Sequence, residues 1–206
     1  MLKIWGRANS SNLKKVTWLC EEISLPYERI DAGMSFGVVN TPEYRKLNPN
    51  GLVPTIEDEG FILWESNAIV RYLGAKHAAG TIWPTDLKAR ANVDRWMDWC
   101  TSTLWPAFRP VFWNLVRTPA DKRNAQEIEA GGKQTAEMLA RLDAALAGRA
   151  FVGGDQLTMA DIAFGPVLYL VQNVEWARPK LANYDAWYKR LSERPAFKKA
   201  VALPVA

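Results

Sequence analysis

Asn48 to Tyr72 reads NPNGLVPTIEDEGFILWESNAIVRY, a string that holds a turn, two strands and the start of a helix. Asn48-Pro49-Asn50-Gly51 punctuates the chain, because Pro fixes φ and Gly accepts φ > 0. Val53 to Glu57 has the residue types of a short strand, interrupted at Asp58-Glu59-Gly60 and resumed from Phe61 to Trp64. Two strands so close together pair as an antiparallel hairpin. Pro54 has no N–H to give a sheet ladder, so the sequence predicts a kink or a cis Val53–Pro54 bond. A cis bond would leave the Val53 N–H and C=O pointing out of the sheet toward a peptide-like ligand. Glu65-Ser66-Asn67 ends a strand and opens a helix. Ser66 suits the N-cap, and exposed first-turn N–H groups with the helix dipole make such a point an anion site.

Upstream, Leu2 to Trp5 reads as a buried strand, Gly6 to Asn12 as a loop, and Leu13 to Ile23 has helical apolar spacing. Pro26 breaks that helix, and Tyr27 to Ile30 reads as a second strand. A strand–helix–strand unit of this length implies a parallel pair with a right-handed crossover. After a loose loop from Gly33 to Asn40, Thr41-Pro42-Glu43 starts a short helix with Pro at its first position. The order βαβ–α–ββ–α over residues 1–78 is that of a thioredoxin-like domain.

Val53-Pro54-Thr55 followed by Glu65-Ser66 closely resembles the glutathione-site signature of the cytosolic glutathione transferases. The resemblance implies that Val53, before the cis Pro54, pairs backbone-to-backbone with the cysteinyl unit of glutathione. It implies that Glu65 and Ser66 hold the γ-glutamyl amine and carboxylate. Leu52 departs from the pattern, since many members carry Lys there as a contact to the glycyl carboxylate. Asn40, Lys14 and Arg7 are the alternatives for that contact.

The resemblance also directs attention to the loop before the first helix. Helix N-terminal amides favour an anion, and a thiolate is one. Bringing a thiol from pKa ~8.5 to ~6.5 takes about 2.7 kcal/mol of differential stabilisation. Ser10, Ser11 and Asn12 are short polar groups at that helix start. Theta- and delta-like transferases carry a catalytic Ser six residues before an apolar helix residue matching Val16, which falls on Ser10. Some bacterial and fungal relatives use an Asn that falls on Asn12. The stretch is similar to the zeta-class Ser-Ser-Cys motif, but Asn12 replaces the Cys, which argues against maleylacetoacetate-type isomerase activity. A Tyr-type, beta-type or omega-type site lacks its Tyr or Cys here.

Ala78 to Asp86 contains Gly80 and Pro84 without periodicity and reads as an interdomain linker, residues 79–86. Residues 87–206 read as helical. Leu87 to Asn114 is one long pattern rich in aromatics, with Pro106 and Pro110 expected to kink or end it. Ala120 to Leu146 has helical spacing, and Thr158 to Asp161 forms a capping box whose role is folding. Tyr184 to Leu191 and Ala196 to Val201 complete a family-like ending. Trp105, Phe108, Arg109 and Trp113 are the candidates for an aromatic electrophile wall.

The 206 residues suit one large or two small domains with a real core. The net charge of +4 is mild and the Lys and Arg are scattered, so there is no nucleic-acid footprint. Cys20 and Cys100 are too few for a disulfide framework, and with one His a zinc or iron site has no support. No apolar run reaches membrane length, and a reduced cytoplasm is the natural compartment.

The reading is therefore an α+β thioredoxin-like domain followed by an all-α domain, the glutathione transferase fold. It implies a theta-like bacterial enzyme, homodimeric and metal-free, that adds the glutathione thiolate to small apolar or halogenated electrophiles in detoxification. The alternatives are a glutathione-dependent disulfide or peroxide reductase, a non-enzymatic glutathione-binding protein, and, if Arg109 faces the cavity, a dehalogenase or ether-cleaving enzyme.

Overall fold

The computed structural model describes residues 1–205. Leu2–Trp5 (β1), Tyr27–Ile30 (β2), Thr55–Asp58 (β3) and Phe61–Trp64 (β4) form one sheet in the order β2-β1-β3-β4. β1 and β2 are parallel, connected through helix α1 (Ser11–Glu22), while β1–β3 and β3–β4 are antiparallel. Helices α2 (Pro42–Leu47) and α3 (Ser66–His77) complete the βαβ–α–ββ–α order read from the sequence.

Two boundaries near the cis proline and the start of α3 differ from the expectation. The strand expected from Val53 begins at Thr55, because Pro54 has no N–H for the ladder and stays outside it. The Val53–Pro54 peptide is cis. Ser66, expected as the N-cap of α3, is its first helical residue instead. β4 ends at Trp64, so one residue must turn the chain from strand to helix, and Glu65 does so at φ 72° and ψ 110° with no side-chain capping bond.

The rest of the chain is helical. One run from Leu87 to Arg117 comprises α4 (Leu87–Trp99) and α5 (Trp105–Phe112), each followed by a wide π turn, at Cys100–Leu104 and Trp113–Arg117. Pro106 and Pro110, expected to kink or end the helix, both lie inside α5, with a wide turn before it and another after it. A proline lacks the N–H for the i−4 carbonyl and crowds it; for Pro106 that carbonyl belongs to Ser102, within the first wide turn, where the looser winding makes room. Asn124 caps α6 (Ala125–Ala145), its Oδ1 accepting the Gln126 and Glu127 N–H groups at 3.0 and 3.2 Å, so the helix expected from Ala120 starts later.

Helix α7 (Met159–Asn173) is buried along nearly its whole length. The Asp161 carboxylate at its start accepts Thr158 N–H (2.8 Å), the Thr158 hydroxyl (3.0 Å), Val152 N–H (3.1 Å) and Trp187 Nε1 (2.9 Å). The capping box is present, and the carboxylate's coordination is wholly internal. α8 (Ala182–Ser192) and α9 (Pro195–Ala200) close the chain around it.

α7 packs on both α1 and α3. A Cβ on Gly165 would collide with the Trp18 indole, and one on Gly74 with the Met159 sulfur. One buried cluster therefore runs from Ile4 and Leu19 through Phe164 to Trp187. Trp18 and Trp187 are fully buried, each contributing on the order of 5 kcal/mol at ~25 cal/mol per Å² over ~200 Å². Among the described residues no helix is long and apolar enough to cross a membrane.

Candidate active site

α1 and α3 aim their N-termini into one cleft of ≈ 590 Å³, walled by Ser11, Asn12, Lys15, Glu65, Ser66 and Trp105 among others. The first-turn N–H groups of a helix have no acceptor within it, and the dipoles of both helices favour negative charge at this point. Lys15 and Arg71 add positive charge to the wall, and Glu65 and Asp98 supply carboxylates. A ligand that carries both an anion and an ammonium fits this mixture.

The three candidates of the first loop separate in the structure. Ser10 is the N-cap of α1, and its Oγ accepts the Leu13 N–H at 3.4 Å. It is buried and does not line the cleft. Ser11 and Asn12 do line it, Asn12 being exposed. At the other helix, the Ser66 hydroxyl lies 3.3 Å from Asn12 Oδ1 and joins the two N-termini. Glu65 reaches the cleft through a backbone conformation that costs a non-glycine residue about 1–3 kcal/mol. Strain of this kind persists only where the surroundings enforce it.

Val53, Pro54, Leu52 and Asn40 stand outside the lining of that cleft. The segment that carries the first three is fastened from beneath. The Leu52 carbonyl accepts Tyr44 Oη at 2.7 Å and Asn48 Nδ2 at 2.9 Å. Thr55 Oγ1 meets the same two side chains at 2.8 and 3.1 Å. Leu52 itself points to solvent, 64% exposed. Among the described residues no hydrogen bond occupies the Val53 N–H or C=O. Asn40 is exposed, and its Oδ1 accepts Arg45 Nη2 at 3.0 Å. The Arg7 Nε is buried with no hydrogen-bond partner among the described residues, and burial, with Arg117 close by, pulls its guanidinium below the usual arginine range. Lys14 turns away from the cleft, donating to the Leu203 carbonyl at 3.3 Å and lying over the Tyr169 ring.

The aromatic candidates divide too. Trp105 lines the cleft and also a second groove of ≈ 630 Å³ that holds Arg109 and Trp113, where Arg109 lies over the Trp113 ring at 5.5 Å. Phe108, expected on the aromatic wall, is fully buried against Trp176 and lines neither groove.

Sequence reasoning missed Lys15, Asn67, Arg71 and Asp98. Arg71 Nε and Nη2 bind Asp94 and Asp98 at 2.7 and 2.6 Å. Lys15 Nζ donates to Asn67 Oδ1 at 3.2 Å. Position i+4 from Ser11 places Lys15 on the cleft face of α1. That signal was hidden by its apolar neighbours Leu13 and Val16. Cys100 also touches the cleft, but burial pushes its thiol up to about 12. No group of three or more His, Cys, Asp or Glu side chains among the described residues could hold a metal ion.

Residues 1–75 match the family model for the glutathione S-transferase N-terminal domain, and residues 89–195 that for its C-terminal domain. The chain is 43% identical over 207 residues to glutathione S-transferase GstB of Escherichia coli K12, covering 100% of both chains. It is 29% identical to glutathione S-transferase 3 of Zea mays, over 98% of this chain and 93% of that one. A crystal structure of the theta-class glutathione S-transferase of Xanthomonas axonopodis pv. citri, with glutathione bound, matches at a TM-score of 0.95 and 46% identity, covering 100% of this chain and 99% of that one.

Proposed function

The chain belongs to the glutathione S-transferase family, and we propose that glutathione lies along the α1–α3 cleft with its thiol at Asn12 and its γ-glutamyl end at Glu65 and Ser66. The observation that carries this reading is the convergence of two helix N-termini on one cleft, joined through Ser66 Oγ and Asn12 Oδ1. The γ-glutamyl carboxylate takes the α3 amides, the backbone N–H of Ser66 among them, and its ammonium takes Glu65 or Asp98. Val53, whose backbone has no hydrogen bond among the described residues, pairs with the cysteinyl backbone, and Arg7 or Asn40 meets the glycyl end in place of the lysine that Leu52 replaces.

The Asn12 amide, the Ser11 hydroxyl and the first-turn N–H groups together stabilise the thiolate. Each charge-assisted bond contributes about 1.5–3 kcal/mol, so two suffice to lower the thiol pKa by ~2 units. Ser10 serves by capping the helix that carries them. The thiol proton leaves to solvent, the sulfur forms a bond to carbon, and a halide or comparable group departs with the bonding electrons. Small apolar or halogenated acceptors approach along Trp105, with Arg109 and Trp113 in the adjoining groove. Residues 1–78 hold glutathione and residues 87–206 the acceptor, joined by 79–86. Exposed Phe61 and Trp64 on the edge strand support a homodimer, and two free buried thiols support a reducing, cytoplasmic setting.

The test is an ultraviolet titration of the glutathione complex near 240 nm on wild type, Asn12→Ala and Ser10→Ala, beside turnover of chlorodinitrobenzene. A midpoint well below ~8.5 that rises in Asn12→Ala is the expected result. A midpoint that follows Ser10 alone would move the donor there. Disulfide turnover without chlorodinitrobenzene turnover would make the protein a reductase, and an undepressed thiol would leave a binding protein.

A further inference from the structure

Lys15 is a charged side chain in a dry place. It is 4% exposed, and burial pulls its ammonium below the usual lysine range against the opposing pull of Cys100 and Glu65. Its Nζ lies 3.2 Å from Asn67 Oδ1 and 3.5 Å from Ser66 Oγ, and Ser66 Oγ lies 3.3 Å from Asn12 Oδ1. These contacts fix the direction of a hydrogen-bond chain. An ammonium has three donors and no lone pair, so Ser66 Oγ accepts from Lys15. The one Ser66 proton is then left for its other neighbour. Of the Asn12 amide atoms, the oxygen alone can take that proton, so the nitrogen is the atom turned away from Ser66. Asn67 obeys the same logic: its oxygen takes Lys15, and its Nδ2 is within reach of Thr101 Oγ1 at 3.0 Å and the Met97 carbonyl at 3.4 Å.

We propose that Lys15 is a positioning residue for thiol activation: through Ser66 it holds the Asn12 amide with its N–H groups toward the glutathione sulfur. This rests on Asn12 being the thiol donor, as proposed above. Without the ammonium, the Ser66 proton is free to turn to Asn67 or to water. The Asn12 amide is then free to flip, presenting its oxygen to the thiolate. The cost of burying the charge is thus coupled to the orientation of a neutral amide two side chains away.

The experiment follows the thiolate midpoint of bound glutathione, its Kd and the pH dependence of kcat. The proteins are wild type, Lys15→Met, Lys15→Arg, Asn12→Ala and the double variant Lys15→Met with Asn12→Ala. Lys15→Met is expected to raise the midpoint by about one pH unit, the size of one lost charge-assisted bond. Its kcat falls about tenfold at pH values below the midpoint and recovers in alkali, which a general structural defect would not do. Lys15→Arg, which keeps a donor, restores most of the shift. The double variant has the midpoint of Asn12→Ala alone, since the two residues act in series.

An unchanged midpoint in Lys15→Met overturns the proposal, even if Kd rises, because Lys15 would then be a ligand of the γ-glutamyl carboxylate. A further rise in the double variant overturns it as well, leaving Lys15 as a charge acting through space. A midpoint indifferent to Asn12→Ala overturns both this role and the donor assignment beneath it. Sensitivity to Asn12 with indifference to Lys15 overturns this role alone. If Lys15→Met does not fold, Lys15→Gln is read by the same criteria.

Discussion

Asn48→Ala tests how the segment ahead of Pro54 is held. Asn48 is 2% exposed and makes two buried bonds through Nδ2, to the Leu52 carbonyl at 2.9 Å and to Thr55 Oγ1 at 3.1 Å. Its Oδ1 accepts the N–H and Nδ2 of exposed Asn50, both at 3.1 Å. Each buried neutral bond contributes about 1 kcal/mol net, and the pair at the turn surface only tenths. Truncation orphans neither buried acceptor, because Tyr44 Oη still reaches both Leu52 O and Thr55 Oγ1. The loss is therefore about 2–3 kcal/mol, or roughly 5–10 °C in Tm for a chain of this size. Asn48→Asp should be worse than Ala, since a buried carboxylate would face two oxygens, and part of its deficit should return as acid protonates it. Urea unfolding at fixed protein concentration measures both, with the m-value unchanged. Glutathione Kd should rise in parallel, because the Val53 backbone is carried by this segment. A loss below about 0.5 kcal/mol for Asn48→Ala, or Asp better tolerated than Ala at neutral pH, would refute the account.

Three further expectations come from single residues. Glu65→Gly removes a left-handed non-glycine conformation, so it should gain up to about 1 kcal/mol in unfolding while glutathione binding weakens; loss on both measures would show that the φ of 72° is not strained. Lys14 is held down to about 8 by burial, below the ~10.4 of an unfolded lysine. Between those values the unfolded chain binds more protons, so this residue's contribution improves with rising pH. The stability advantage of Lys14→Met at pH 7 should shrink toward pH 10, and a pH-independent difference would contradict it. Phe108→Ala should cost about 3–5 kcal/mol of stability with acceptor KM little changed, while Trp105→Ala should shift KM at smaller cost; the reverse pattern would return Phe108 to the acceptor wall.

Much of the fold was legible because its punctuation is local. Pro26, Gly51, Asp58-Glu59-Gly60 and Pro54 each fix a boundary by their own backbone chemistry, and the strand order follows from the lengths between them. The resemblance to a spaced motif singled out the loop before α1 and the Glu65-Ser66 pair, and Ser11, Asn12, Glu65 and Ser66 line one cleft. What stayed hidden depends on contacts remote in sequence. Tandem Lys14 and Lys15 look alike, yet one reaches the chain's end at Leu203 and the other the start of α3. Phe108 and Trp105 share a helix three residues apart, yet the first is fully buried and the second lines the cleft. Ser10 and Asn12 differ in setting because a helix N-terminus gives the cap to the first and solvent to the second. The wide turn at Cys100–Leu104 has no signature beyond the proline that follows it.

The glycines at 165 and 74 set a condition on how this chain can exchange parts with its relatives. Each is the socket for a large side chain from the other half, Trp18 into Gly165 and Met159 against Gly74. A helical half taken from a relative with alanine at position 165 would hold α1 away from α7 and displace the N-terminus that α1 presents. Hybrids should therefore fold and work only when the indole and its socket travel together, and drift at one position is licensed only by compensation at the other. The two halves are separate in sequence but inherit as one mechanical part.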